Sequence, residues 1–231
     1  MTSESTVASP VIAIDGPSGA GKGSVSQQVA HTLGFHLLDS GAVYRAAAIV
    51  VRRVNADIQS ETDVIAALRA FNAVFHNKGT DGVAVLIGDN DVTSELRTQL
   101  TAETASQIAA MPAVRRLMLD EQRRFRQPPG LVADGRDMGS VVFPDAVLKV
   151  YLTASVQERA NRRAKQLKEK GIETTMRSLL AEIEARDKRD STRLVAPLVV
   201  ADDALFIDSS GLTLDEVVTR VVDASKRVLT A

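Results

Sequence analysis

The sequence contains no cysteine. That excludes a disulfide framework, a thiol nucleophile and a thiolate metal site, and points to a reducing, cytoplasmic setting. Aromatic residues make up only 3% of the chain, too few for an extended platform that stacks the bases of single-stranded nucleic acid. Neither sign of charge dominates: 28 Lys and Arg stand against 29 Asp and Glu. A general nucleic-acid binder is expected to be basic, so an anionic partner has to be held by a local cluster of cations. The longest apolar run covers residues 46–51, far short of the roughly 20 residues that a membrane-spanning helix requires. Residues 1–10 carry no Lys or Arg and lack the basic region of a signal peptide; they read as a frayed tail.

What is present is a globular chain of 231 residues, enough for one large domain, or one domain with insertions, that buries a core without staples. Short β-rich runs alternate with longer helical segments, the pattern of an α/β fold with a mainly parallel sheet. Candidate core strands are 11–14, 35–38, 131–133, 147–152 and 205–207. Ser155 with Glu158, and Thr213 with Glu216, have the spacing of a capping box that opens a helix. Val217, Val218, Val221 and Val222 then recur at helical spacing, so the last helix should pack on the sheet. Residues 71–75, a turn over 77–82 and residues 83–87 read instead as a β-hairpin. It has no obvious place in a parallel sheet, and roughly 60–100 is expected to be an insertion packed on the core.

The strongest chemical signal is Gly16-Pro-Ser-Gly-Ala-Gly21-Lys22-Gly23-Ser24, preceded by the apolar run 11–14 and Asp15. Glycines let successive backbone N–H groups converge on an anion, the following helix adds its positive N-terminus, and Lys22 can reach the β- and γ-phosphates. Gly16-x4-Gly21-Lys22 is the phosphate-loop pattern, with Gly23 in the usual Ser/Thr place and Ser24 after it. Direct Mg²⁺ ligation by Ser24 is therefore left open. A dinucleotide fingerprint starting at Gly19 fails, because its third glycine falls on Ser24. The loop predicts a nucleoside-triphosphate site. The one Asn-Lys pair, Asn77-Lys78, continues Gly-Thr and gives no guanine-reading motif, so a GTPase loses support.

Four stretches taken together resemble the bacterial cytidylate kinase family: the phosphate loop above, Leu38-Asp-Ser-Gly-Ala-Val-Tyr-Arg45, Ala133-Asp-Gly-Arg-Asp-Met-Gly139 and Arg186-Asp-Lys-Arg-Asp-Ser-Thr-Arg193. The resemblance covers nearly the whole chain beyond residue 10. It implies a single domain over 1–231 built on a five-stranded parallel sheet flanked by helices. In that frame 11–59 holds the phosphate loop and the first CMP-site segment, 60–100 a β-containing insert of the CMP-binding region, and 101–154 more of the core. Segment 155–193 supplies a short helical lid and sugar and phosphate contacts, and 194–231 the last core strand and helix. The implied reaction moves the γ-phosphoryl group of ATP, with Mg²⁺, to CMP or dCMP, in a cytoplasmic monomer without nucleic-acid or membrane partners. The alternatives are a kinase for another small acceptor such as UMP, and a nucleotide-switched regulatory protein.

Phosphoryl transfer asks for alignment and charge stabilisation more than for a covalent nucleophile, so the search is for cations. Gly16, Pro17, Ser18, Gly19, Ala20, Gly21, Lys22, Gly23 and Ser24 form the ATP loop. Arg159, Arg162 and Arg163 are lid candidates; with Lys165, Lys168 and Lys170 they also read as a solvated helix face. Arg189 and Arg193 are candidates to reach the phosphates, and with Lys22 and Arg136 they make the catalytic set. By the resemblance, Ser40, Arg45 and Arg136 hold the CMP phosphate, Arg186 and Asp190 the sugar, and Ser106, Arg115 and Asp137 the base. Arg186, Asp190 and Arg193 are spaced to share one helix face, which also fits an exposed salt-bridge ladder. Asp134 closes a strand where a carboxylate meets Mg²⁺, directly or through water, or merely caps the strand end; Asp39 ends an earlier strand in the same way. His31, His36 and His76 show no metal spacing.

Overall fold

The first strand is buried along its whole length, and the rest of the molecule is arranged around it. In the computed structural model the described residues are 8–77, 83–169 and 171–230; most of the proposed tail, the hairpin turn at 78–82 and Lys170 lie outside them. The chain begins with β1 (Val11–Asp15), α1 (Lys22–Leu33), β2 (His36–Asp39), α2 (Ser40–Arg53) and α3 (Glu61–Leu68). Next come β3 (Ala73–Asn77), β4 (Val83–Ile87), β5 (Asn90–Asp91), α4 (Gln99–Ile108) and α5 (Pro112–Arg123). It ends with β6 (Leu131–Gly135), β7 (Leu148–Thr153), α6 (Val156–Glu169), α7 (Met176–Thr192), β8 (Leu205–Asp208) and α8 (Leu214–Leu229). A π-helical turn, Met138–Val142, follows β6.

The five expected strands form one parallel sheet in the order β2-β6-β1-β7-β8. Successive strand residues face opposite sides, and the core divides accordingly. Val11, Ala13, Leu131 and Ala133 pack with α2, α4 and α5. Ile12, Ile14, Val132, Val150 and Leu152 pack with Val25 and Val29 of α1 and Val217, Val221 and Val222 of α8. Continuous apolar runs are therefore what these strands require, since both faces are covered.

The apolar run 46–51 is explained by α2, whose Val43, Ala47 and Val51 face the sheet while Ala46 and Ile49 join Val85, Val92 and Leu96. A helix wedged between two layers has little room for a polar face. The second layer is a three-stranded antiparallel sheet, β3-β4-β5. The expected hairpin is thus present, with a two-residue third strand added. Ala160 of α6 packs with Leu179 and Ile183 of α7.

Two local expectations are corrected. The Thr213–Glu216 capping box is complete, but the one at Ser155 is half made. Glu158 N–H donates to Ser155 Oγ (3.2 Å), whereas Ser155 N–H goes to Ser210 Oγ and the Glu158 carboxylate to Arg162. Arg193 does not share a helix face with Arg186 and Asp190: α7 stops at Thr192, and Arg193 is its extended C-cap. Asp39 is the N-cap of α2, accepting the Ala42 N–H at 2.9 Å.

Candidate active site

The carboxyl ends of parallel strands open onto a shared crevice, and the segments that follow β1, β2, β6 and β7 meet there. Gly16 begins the turn at φ 149°, and a Cβ placed on it would lie 1.9 Å from the Leu152 carbonyl oxygen. Only glycine lets β1 pass that close to β7. Gly21, in the left-handed region, then caps α1. Lys22 is buried; its Nζ donates to the Pro17 carbonyl (3.0 Å) and stands 3.8 Å from Asp134 Oδ1. Burial, then Arg136 and Arg186, push its pKa down to about 8, against the pull of Asp134 and Asp15. A charge held at such cost is one that an arriving anion relieves.

A cleft of about 860 Å³ runs from this loop between α6, α7 and the start of α8, and reaches Arg45 on α2 and Arg97 beyond it. Two of the three lid candidates are turned inward onto the loop itself. Arg159 is 3% exposed; it donates to the Ser18 carbonyl (3.1 Å), the Ala154 carbonyl (3.0 Å) and Asp187 (2.7 Å). Arg162 reaches the Ala20 carbonyl (3.3 Å), both oxygens of Ser209 and Glu158. Arg163 also lines the cleft, and its guanidinium pairs with none of the described residues.

Beyond Lys22 the cations crowd together. Arg136, just after β6, donates to Asp190 (2.9 Å) and to the Gly135 carbonyl. Burial opposes charge on Asp190, but Arg136, Arg186 and Arg193 hold its pKa below the usual carboxylate range. Arg186 has a buried Nε without a partner. Burial, then Arg136, Arg45 and Arg189, lower its pKa to about 10. Ser40 is buried and donates to Gln122 Oε1 (2.7 Å), a partner that no motif announces.

Asp137 is enclosed at 3% exposure, bonded to Arg115 and, at 3.4 Å, to Arg193. The Arg115 guanidinium lies 5.8 Å from the centre of the Tyr44 ring. Two of the three base-reading candidates are thus in contact. Ser106 stands apart from them, accepting from Arg189 Nε (3.4 Å) beside a side recess of about 200 Å³ that Arg186 also lines. The structure therefore seats Arg193 at Asp137 and Arg189 at Ser106, not on the phosphate loop.

Asp134 and Ser24 fit a hard cation. Burial, with help from Asp39, raises Asp134 to about 6 against the opposing Lys22 charge, and its carboxylate lies beside Gly23 of the loop. Ser24 is exposed on the cleft. Among the described residues no group of three or more His, Cys, Asp or Glu could hold a metal by itself. Mg²⁺ is usually held by one or two carboxylates, waters and substrate phosphates, and these donors match that habit.

The cytidylate kinase family profile matches residues 12–227. The chain belongs to the cytidylate kinase family. It is 49% identical over 219 residues to the cytidylate kinase of Proteus mirabilis strain HI4320, covering 95% of this chain and 97% of that one. It is 48% identical over 224 residues to that of Enterobacter sp. strain 638, covering 97% and 98%. Serratia proteamaculans strain 568 has another at 48% over 225 residues, with 97% of each chain covered. The solved structure of TT1252 from Thermus thermophilus aligns over 97% of this chain and 100% of its own, at 18% identity and a TM-score of 0.48. Among the described residues no helix is long and apolar enough to cross a membrane.

Proposed function

We propose that this member of the family transfers the γ-phosphoryl group of ATP to CMP or dCMP, giving ADP and CDP or dCDP. Beside the family match, the observation that carries the reading is the crowded, partly unpaired guanidinium of Arg186. A regulatory ATPase needs cations around one triphosphate. Here Arg45, Arg136, Arg186 and Arg189 crowd together beyond Lys22, and a second anion is what would relieve them.

In this reading the loop Gly16–Ser24 cradles ATP, and Ser40, Arg45 and Arg136 hold the acceptor phosphate, with the Arg186 charge beside them. The acceptor oxygen forms a bond to the γ-phosphorus as the bond to the β-phosphate oxygen breaks, and ADP leaves with that electron pair. Lys22, between the two anions, stabilises the transferred charge, and preorganised cations in a buried site do so without reorganising. Asp134 and Ser24 would hold Mg²⁺, which when bound neutralises charge on the β- and γ-oxygens. Arg115 and Asp137 read cytosine, whose N4 amino group suits a carboxylate acceptor and whose N3 and O2 suit a donor, with Ser106 the third base contact; Arg186 and Asp190 take the sugar hydroxyls. Segment 155–193 supplies the lid and the sugar and phosphate contacts; Arg163 faces the cleft, while Arg159 and Arg162 brace the loop. The β3-β4-β5 layer belongs to the CMP side, and the protein acts as a cytoplasmic monomer.

A coupled ADP-release assay with CMP, dCMP, UMP and AMP tests this. Turnover that depends on acceptor and favours CMP and dCMP is expected. ADP release that ignores the acceptor overturns the proposal in favour of a regulatory protein, and preference for UMP in favour of another kinase.

A further inference from the structure

β1 ends on a carboxylate for which the scheme above has no role. Asp15 is 7% exposed, at the close of a strand whose other four side chains are fully buried. Its two oxygens are divided between two amides: Oδ1 accepts the Met138 N–H and Oδ2 the Gly139 N–H, each at 2.8 Å. Those amides open the turn Met138–Val142, immediately after Arg136 and Asp137.

The placement matters because Arg136 and Asp137 send their side chains to different parts of the site across a single peptide. Arg136 goes to Asp190, and Asp137 to Arg115 and Arg193. A rotation of the backbone there displaces both at once. The turn has little slack: a Cβ on Gly135 would lie 2.7 Å from Met138, and one on Gly139 3.0 Å from Lys149. The next residue after Asp15 is Gly16, where the phosphate loop starts. One side chain therefore ties the strand that launches the ATP loop to the backbone that carries the acceptor contacts.

We propose that Asp15 is a positioning residue for the acceptor site, holding the Met138–Gly139 backbone so that Arg136 and Asp137 present their side chains to the monophosphate and the base. This rests on the assignment of Arg136 and Asp137 to the acceptor. An asparagine cannot replace the carboxylate, because it offers one acceptor and turns an N–H₂ group toward the second amide.

Steady-state kinetics of the full-length Asp15→Asn variant test the proposal. Loss of a hydrogen bond to a charged group should raise KM for CMP about tenfold or more, leave KM for ATP near its original value and narrow the preference for CMP over UMP. Unchanged constants, or a parallel rise in both KM values, would overturn it. Hydrogen exchange at Met138 and Gly139 in the wild-type protein decides the matter if the variant does not fold. Protection already present before CMP is added is the expected result; protection that arises only with CMP means that substrate orders the turn, and the proposal falls. A wild-type protein inactive on CMP would overturn the acceptor assignment instead, and the exchange measurement still reports on Asp15.

Discussion

Replacing Asp137 by alanine tests the buried charge network most directly. The carboxylate and its partner Arg115 have side chains 4% and 7% exposed, and Arg193 is the second cation on the same group. Removing Asp137 leaves two guanidiniums facing each other out of water. Breaking a buried pair from one side costs about 3–5 kcal/mol, because the remaining charge is uncompensated. That is a large part of the roughly 5–15 kcal/mol that holds a domain folded. At about 2–4 °C per kcal/mol for a chain of this length, the melting temperature should fall by roughly 6–20 °C.

The double variant Asp137→Ala, Arg115→Met should recover much of that loss, since Arg193 keeps the attraction of Asp190 and Arg115 no longer opposes it. Circular-dichroism melts of the two single variants and the double close the cycle, and a coupling of about 0.5–3 kcal/mol is expected for groups in contact. Additive losses, or a single variant melting close to the wild type, would show that the network contributes nothing. Kinetics separate stability from recognition. A site whose polar partners are left unpaired can lose up to roughly 10⁴-fold in discrimination, so kcat/KM for CMP should fall far more than for UMP. Equal losses on the two would remove Asp137 from base reading.

Lys22→Ala should lower kcat by orders of magnitude while ATP affinity falls less, since contacts made to the transferring group register in kcat; near-normal turnover would take Lys22 out of the mechanism. Gly16→Ala puts a Cβ 1.9 Å from the Leu152 carbonyl, so ATP binding should be lost in calorimetry, with a melting drop beyond the ~1 kcal/mol of an ordinary substitution. Thr213→Ala removes one half of the α8 capping box and should cost about 1 kcal/mol in denaturant unfolding. Asp15 has its pKa raised to about 6, first by burial, against the pull of its two backbone N–H partners. The folded protein thus binds that proton more tightly than the unfolded chain. The resulting stabilisation is full below about pH 4 and is lost as the pH rises through about 6, on the order of 3 kcal/mol. Relative to Asp15→Asn, wild-type stability should therefore fall across that window, and a flat difference would contradict the raised pKa.

The parallel sheet is legible in the sequence because strands covered on both faces have to be short, continuous apolar runs, and 11–14 and 131–133 are such runs. The phosphate loop is legible because its glycines answer to backbone geometry rather than to tertiary context. The direction of long side chains is not legible in that way. Arg159 and Arg162 belong to a charge run whose pattern suits solvent or substrate equally well, and only the packing of α6 on α7 turns them onto the Ser18 and Ala20 carbonyls. Arg193 has helical spacing from Arg186, yet the helix ends one residue before it, and helix ends are fixed by contacts that periodicity does not contain. β5 is two residues long, below the length at which alternation is a signal. Asp15 differs from these, because a physical rule could have found it. A carboxylate that directly extends an apolar strand covered on both faces is carried into the core with it, and a buried carboxylate needs donors. Backbone amides of a neighbouring strand's loop can supply them, and β6, one of the two neighbours of β1, does so. The same rule singles out Asp134, which extends its own apolar run 131–133 in register with Asp39. The two carboxylates separate by what they face: Asp15 is closed off by two amides, while Asp134 faces Lys22 and the open loop, where a cation and a phosphate can reach it.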